Sequence, residues 1–417
     1  MSTPRRRIAD PTLVALAVAL SVFGIAMVYS AGQTDVPTLV ERLYRQQIIW
    51  FVLGLSAAYA ISRASVRFLD WVTTPAYAAS CLILFVLLFV GAGAGTAAST
   101  KSWLAIGGVR LGQPSELAKI AVVLMLARIL ASRKEAPKSL MDLWQPALAV
   151  FVPWVLIMRQ PDLGTGIVFI GIFFAMLFWS GVSWQLLVMV ASPVVSLILA
   201  FGPGVWGAWF LVLIALVLWY RPYLVEGVAV VLANVVTGVV APLVWDKMSP
   251  YQQKRLLVFI DPSADPRASG YHVIQSQVAI GSGGWLGKGF TLGSQKRLAF
   301  LPAQHTDFIF PVVGEELGFL GVTVALALFM FLLLRSVRIA ARSTDPFPSL
   351  VAFGLASAWF VHIVVNVGMT LNLMPITGIP LPFFSYGGSF MLMCWLSVGI
   401  LVRISGEGRG VADMLVI

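Results

Sequence analysis

The stretch FIFPVVGEELGFLGVTVALALFMFLLL, Phe308 to Leu334, decides the fold. It exceeds the roughly 20 apolar residues that cross a bilayer as a helix, and its only charged members are the adjacent acids Glu315 and Glu316. Neighbouring positions on a helix point in different directions, so at least one acid must face protein rather than lipid. Similar apolar runs lie near 12 to 30, 47 to 62, 73 to 93, 114 to 131, 143 to 158, 164 to 180, 185 to 201, 206 to 220, 224 to 245, 350 to 371 and 388 to 403. The chain therefore reads as an all-α polytopic membrane protein with about twelve transmembrane helices.

Composition agrees. Of 417 residues, 59% are hydrophobic and 11% charged, against roughly 25% charged in soluble domains. The net charge of +10 belongs to span flanks and to anionic lipid; no basic, aromatic-interleaved soluble part exists to bind nucleic acid, so that partner is excluded. Cys81 and Cys394 sit inside apolar runs as small hydrophobes, too few for a disulfide framework or a CxxC metal site.

Arg5, Arg6 and Arg7 precede a first run too long for a signal-peptide core, so it is expected to be a first span held by cytoplasmic arginines. Arg63 and Arg67, Arg128 to Lys138, Arg221, Arg335 to Arg342, and Arg403 with Arg409 then fall in alternate short connections. The positive-inside rule puts both termini in the cytoplasm and the long loop, about 246 to 307, outside. A basic loop on that side points to an anionic ligand.

Five motifs carry chemistry. In KSWLAIGGVRLGQPSELAK, Lys101 to Lys119, Pro114 marks a helix start near Gln113 and Ser115; Glu116 and Lys119, three apart, share a helical face. An ion pair at that depth either marks a functional cavity or fixes helix packing, and the two roles are compatible. RQPDLGTG, Arg159 to Gly166, repeats Gln-Pro before an acid; Asp162 is a helix cap, a site residue, or both. YQQKRLLVFIDP, Tyr251 to Pro262, sets Lys254 and Arg255 beside Asp261, the cations and carboxylate that chemistry on a lipid-linked pyrophosphate requires.

After that loop, YHVIQSQVAI (Tyr271 to Ile280) has the period of an amphipathic interfacial helix, and GSGGWLGKGF (Gly281 to Phe290) follows. The latter lacks the spacing and the Ser or Thr of a nucleotide P-loop, so no nucleotide is expected; Lys288 is either near a pyrophosphate or in a plain tight turn. LPAQHTDFIFPVVGEELG, Leu301 to Gly318, carries His305 and Asp307 as caps or ligands, and its acids admit a hard divalent cation, Mg2+ or Mn2+. NLMPITGIPLPFFSYGGS, Asn372 to Ser389, is a rigid re-entrant plug or part of a binding site.

This ordered set of motifs resembles the SEDS family (shape, elongation, division and sporulation) of bacterial membrane proteins over nearly the whole chain, and its GKG and GIPLPFFSYGGS versions resemble the elongation branch. The resemblance implies a peptidoglycan glycosyltransferase of the bacterial cytoplasmic (inner) membrane that polymerises lipid II beside a class B penicillin-binding protein. It also implies a ten-helix core, against which residues 206 to 245 read as an additional hairpin before the catalytic loop. By motif match Asp261 takes the place of the essential loop aspartate, with Glu116, Lys119 and Asp162 supporting. Gln113, Ser115, Lys254, Arg255, Lys288, His305, Asp307, Glu315 and Ser385 complete the candidates for substrate contact. A lipid II transporter, a division-branch polymerase and a scaffold for the penicillin-binding partner are the rival readings.

Overall fold

The computed structural model describes residues 9–35, 40–93, 102–106, 109–200, 202–247, 253, 257–259, 269–301 and 303–414. Among the described residues twelve long helices overlap the twelve apolar runs: α1 Pro11–Gly32, α2 Leu43–Ser62, α3 Val66–Val90, α4 Pro114–Ala131, α5 Trp144–Arg159, α6 Leu163–Trp179, α7 Trp184–Leu199, α8 Pro203–Tyr220 and α9 Leu224–Lys247 come first. After the interhelical α10, Ser269–Ser282, follow α11 Ile309–Arg342, α12 Pro346–Thr370 and α13 Gly388–Met414. Seven helical segments among the described residues are long and apolar enough to cross a membrane, and the helices within 163–179, 184–199 and 204–220 are apolar but shorter. The helix α4 falls outside both groups because Glu116, Lys119 and Arg128 interrupt it.

Local signals set the boundaries. Asp10 accepts from Leu13 N at 3.1 Å with Pro11 following, Asp162 caps α6 through Thr165 N at 3.0 Å, and Asp345 caps α12 through Phe347 N at 3.1 Å. Between α3 and α4 lies an antiparallel pair, β1 Leu104–Ile106 and β2 Val109–Gly112, with Ile106 opposite Val109. The sequence reading had no strand there, although Gly107-Gly108 between two short apolar stretches is a hairpin signal.

The centre of the bundle is α4, which packs against α3, α5, α6, α12 and α13. The helix α13 runs along α2, while α11 packs between α1 and α12. The pair α8 and α9, where the extra hairpin was expected, packs on α7. There the buried Asn234 amide donates to Ser192 Oγ at 2.8 Å and accepts from Ser196 Oγ at 2.5 Å, tying α9 to α7. Such interhelical bonds are worth about 1 kcal/mol each in a bilayer.

Candidate functional site

The sequence pattern brings three helix starts together. Gln113, in extended backbone, precedes α4 and donates from its side chain to Asp162 Oδ2 at 2.8 Å; its backbone N–H donates to Ser389 Oγ at 3.1 Å, in the first turn of α13. Asp162 accepts from Thr165 N at 3.0 Å and Thr165 Oγ1 at 2.9 Å. It is thus both a cap and a bridge, and the two Gln-Pro-acid motifs meet at one end of the bundle. Gln160 serves structure: its buried side chain donates to Leu84 O at 3.0 Å.

One turn into α4, Lys119 Nζ donates to Glu116 Oε2 at 2.8 Å, with the two side chains 1% and 3% exposed. The ammonium also lies 2.7 Å from His362 Nε2 and 5.5 Å from the Phe390 ring centroid. Because His362 Nδ1 lies 3.0 Å from Pro380 O, an acceptor only, that nitrogen carries the hydrogen. Nε2 is then free to accept from Lys119, so the imidazole is neutral and joins α4, α12 and the segment before α13. A buried ion pair contributes little net stability over apolar residues of equal volume. Its consequence is orientation. Beside it, Ser115 is 1% exposed and its hydroxyl has no hydrogen-bond partner among the described residues.

An apolar cavity of about 510 Å³ opens alongside, walled by Ile83 of α3, Leu117, Ile120 and Leu124 of α4, and Leu392 and Leu396 of α13. Gly112, Gln113 and Ser389 line it too. From Pro114 to Leu124 it follows α4 for roughly 15 Å. A polar rim at the helix starts therefore meets a groove suited to a long apolar chain.

Other candidates lie elsewhere. Lys288, partly exposed, donates to the buried Glu315 Oε1 at 2.8 Å, and Lys296 is paired with Glu316 at 2.8 Å with both side chains fully buried. Glu316 Oε2 also accepts from Ser30 Oγ at 2.5 Å. The two adjacent acids thus fasten the glycine-rich segment to α11 and α1, with Lys288 part of that fastening. Backbone explains the glycines: Gly287 has φ +77°, and a Cβ there would lie 2.1 Å from Glu316 O. Ser385 accepts from Leu381 N at 2.8 Å and donates to Thr306 O at 2.7 Å, holding a segment in which Leu381, Phe383 and Phe384 are buried. The Asn372 to Ser389 motif is thus packed into the bundle at Leu381, Phe383 and Phe384, and it meets the site through Ser389 and through Pro380 O, which lies against His362.

His305 is mostly buried, its Nδ1 lacks a partner among the described residues, and burial pushes it down to about 4. The carbonyl of Asp307 accepts from Asn366 Nδ2 at 3.0 Å. No group of three His, Cys, Asp or Glu able to hold a metal comes together among the described residues. Asp261, Lys254 and Arg255 lie outside the described residues. The sequence reading missed His362 and Ser389, since a lone histidine in an apolar run and a serine ending a glycine motif carry no periodic signal.

A family model described as cell cycle protein, covering FtsW, RodA and SpoVE, matches residues 11–206 and 204–410, two pieces that meet at the start of α8. The peptidoglycan glycosyltransferase MrdB of Escherichia coli K12 is 36% identical over 398 residues, 95% of this chain and 93% of that one. The peptidoglycan glycosyltransferase RodA of Treponema pallidum is 34% identical, with 95% and 98% covered. Among solved structures, a chain from a peptidoglycan synthase complex is similar with TM-score 0.71 and 29% identity, covering 96% of this chain and 98% of that one. The crystal structure of Thermus thermophilus RodA gives TM-score 0.63 and 26% identity, with 97% and 99% covered.

Proposed function

We propose that this chain, which belongs to the FtsW, RodA and SpoVE family of cell cycle proteins, is a peptidoglycan glycosyltransferase that polymerises lipid II during cell elongation. The observation that carries the reading is the junction of a polar rim, Gln113, Asp162 and Ser389, with an apolar groove along α4. A lipid-linked sugar needs both: an apolar channel for the polyprenyl chain and fixed polar groups where its pyrophosphate and sugar emerge.

In this mechanism Asp261 takes the proton from the acceptor sugar's 4-hydroxyl as that oxygen attacks the anomeric carbon of the donor. The new glycosidic bond forms while the bond from that carbon to the phosphate oxygen breaks, and polyprenyl pyrophosphate leaves with the electron pair. Because that group is already a good anion, one carboxylate suffices where glycosidases use two. Lys254 and Arg255 stabilise the departing charge. Lys119, held by Glu116 and His362, orients the start of α4 instead. A divalent cation, Mg2+ or Mn2+, would enter with the substrate's pyrophosphate and offset its charge; among the described residues no group of three acids, histidines or cysteines comes together to hold one.

The class B penicillin-binding partner is supported by the neighbour's description as part of a peptidoglycan synthase complex. The chain works in the cytoplasmic membrane with both termini inside, as the basic connections indicate. The test is purified protein with that partner and fluorescent lipid II in detergent. A ladder of glycan strands, lost in Asp261→Ala, is expected; a single removed base costs about 10² to 10⁴ in rate. Unpolymerised substrate moved only across sealed vesicles would instead establish a transporter.

A further inference from the structure

The segment Val273 to Leu286 contains no charged residue, and its end carries two of the most exposed large apolar side chains among the described residues, Trp285 and Leu286, each 77% exposed. In water such a tip is unfavourable, because each large apolar side chain left exposed forgoes roughly 1.5 to 3 kcal/mol of burial. Three observations say where it sits.

The first is continuity. Trp285 packs edge-on against Phe319 of α11 at 5.1 Å between ring centroids. Phe319, Leu320, Val324, Met330 and Phe331 are all exposed along that apolar helix, the stripe a spanning helix presents to lipid. Trp285 and Leu286 extend this stripe sideways.

The second is depth. Phe319 lies 16 residues from Arg335, roughly 24 Å along a helix, and Arg335 with Arg338 and Arg342 marks the opposite interface. The tip therefore falls within the last ~6 Å of a ~30 Å hydrocarbon core.

The third is backbone satisfaction, which irregular structure at that depth requires. At Gly318, φ +62°, α11 breaks, and the freed N–H groups of Phe319 and Leu320 donate to Gly284 O at 2.8 Å and Trp285 O at 3.1 Å. Lys288 N and Gly289 N donate in return to Glu315 O at 2.9 Å and Glu316 O at 3.0 Å. The nearby charges are neutralised as well, Lys288 by Glu315 and Lys296 by Glu316.

We propose that α10 and the Gly281–Phe290 turn form a re-entrant wedge whose tip, Trp285 and Leu286, inserts into the outer leaflet of the lipid bilayer. Through the break at Gly318 the wedge is stitched to α11, so it fixes the height of the chain that follows residue 268. Resting on the glycosyl transfer reading, this anchors α10, Ser269–Ser282, at the outer membrane surface, where a lipid-linked pyrophosphate emerges.

The test places a bimane label at Leu286→Cys in a chain with Cys81→Ser and Cys394→Ala. The protein is reconstituted in phosphatidylcholine and phosphatidylglycerol vesicles with acyl chains brominated at defined depths. Lys134→Cys, exposed in a connection, is the aqueous reference. Expected are a blue-shifted emission at 286, quenching that is strongest with bromine nearest the headgroup, and protection from iodide, with the reverse at 134. Iodide quenching at 286 equal to that at 134 places the tip in water and overturns the proposal. Quenching by neither reagent overturns it too, because the tip is then covered by protein. Should Leu286→Cys fold poorly, the same label at Trp285→Cys is read identically. The readout needs no turnover, so a failed wedge and a failed glycosyl transfer reading are told apart.

Discussion

Replacing Lys119 with methionine tests the ion pair at the heart of the bundle. Its Nζ lies 2.8 Å from Glu116 Oε2 and 2.7 Å from His362 Nε2, and both pair members are nearly inaccessible. The substitution keeps volume but strands the Glu116 carboxylate, at about 3 to 5 kcal/mol for an uncompensated buried charge. His362 loses its donor in the same network, so its share falls inside that range rather than adding to it. The double variant Glu116→Gln with Lys119→Met removes both charges and is expected to recover most of the loss, because a neutral pair no longer needs a counter-ion. Denaturant unfolding in detergent micelles, followed by tryptophan emission, measures both. A Lys119→Met midpoint equal to wild type would refute the burial argument. A folded double variant that makes strands at the wild-type rate would deny the pair any part in orienting the site.

Three further outcomes follow from the geometry. Gln113→Ala should lower strand synthesis and cost up to about 1.5 to 3 kcal/mol of stability, since it removes a rim contact to Asp162, a bond to a charged group; unchanged kcat/KM would separate the rim from catalysis. Gly287→Ala should destabilise the chain by more than about 1 kcal/mol, for it meets both positive φ and a backbone clash with Glu316 O, and a wild-type midpoint would contradict the stitched turn. His305, pushed down to about 4 from its ordinary 6.5, binds fewer protons folded than unfolded. Its contribution is therefore complete above pH 6.5 and is lost as pH falls through about 4, about 3 kcal/mol at roughly 1.4 kcal/mol per pKa unit. His305→Gln should flatten the acid side of the stability profile, and an unaltered profile would place the ring in solvent.

Much of this was legible in the chain. Apolar runs of bilayer length gave every long helix, because hydrocarbon admits little else. The two Gln-Pro-acid motifs marked helix starts correctly through cap chemistry, yet their meeting at Gln113 and Asp162 is a tertiary fact that spacing does not contain. Helical geometry required at least one of the acids Glu315 and Glu316 to face protein; their lysine partners, Lys288 and Lys296, come from a segment 27 and 20 residues earlier, whose fold depends on Gly287 and on the break at Gly318. His362 was invisible for the same reason: its importance lies in what α4 brings to it. Lys288 and Ser385 drew notice by residue type, and their partners, Glu315 for one and Leu381 with Thr306 for the other, are again tertiary facts.

The most direct test of the site is photocrosslinking with a lipid II analogue carrying a diazirine on its polyprenyl chain, followed by mass spectrometry of the labelled peptides. Labels on Leu117, Leu124, Ile83 or Leu392, lost on Leu117→Trp and competed by unlabelled lipid II, are the expected result. Labels confined to faces outside the α3, α4 and α13 groove would contradict the account.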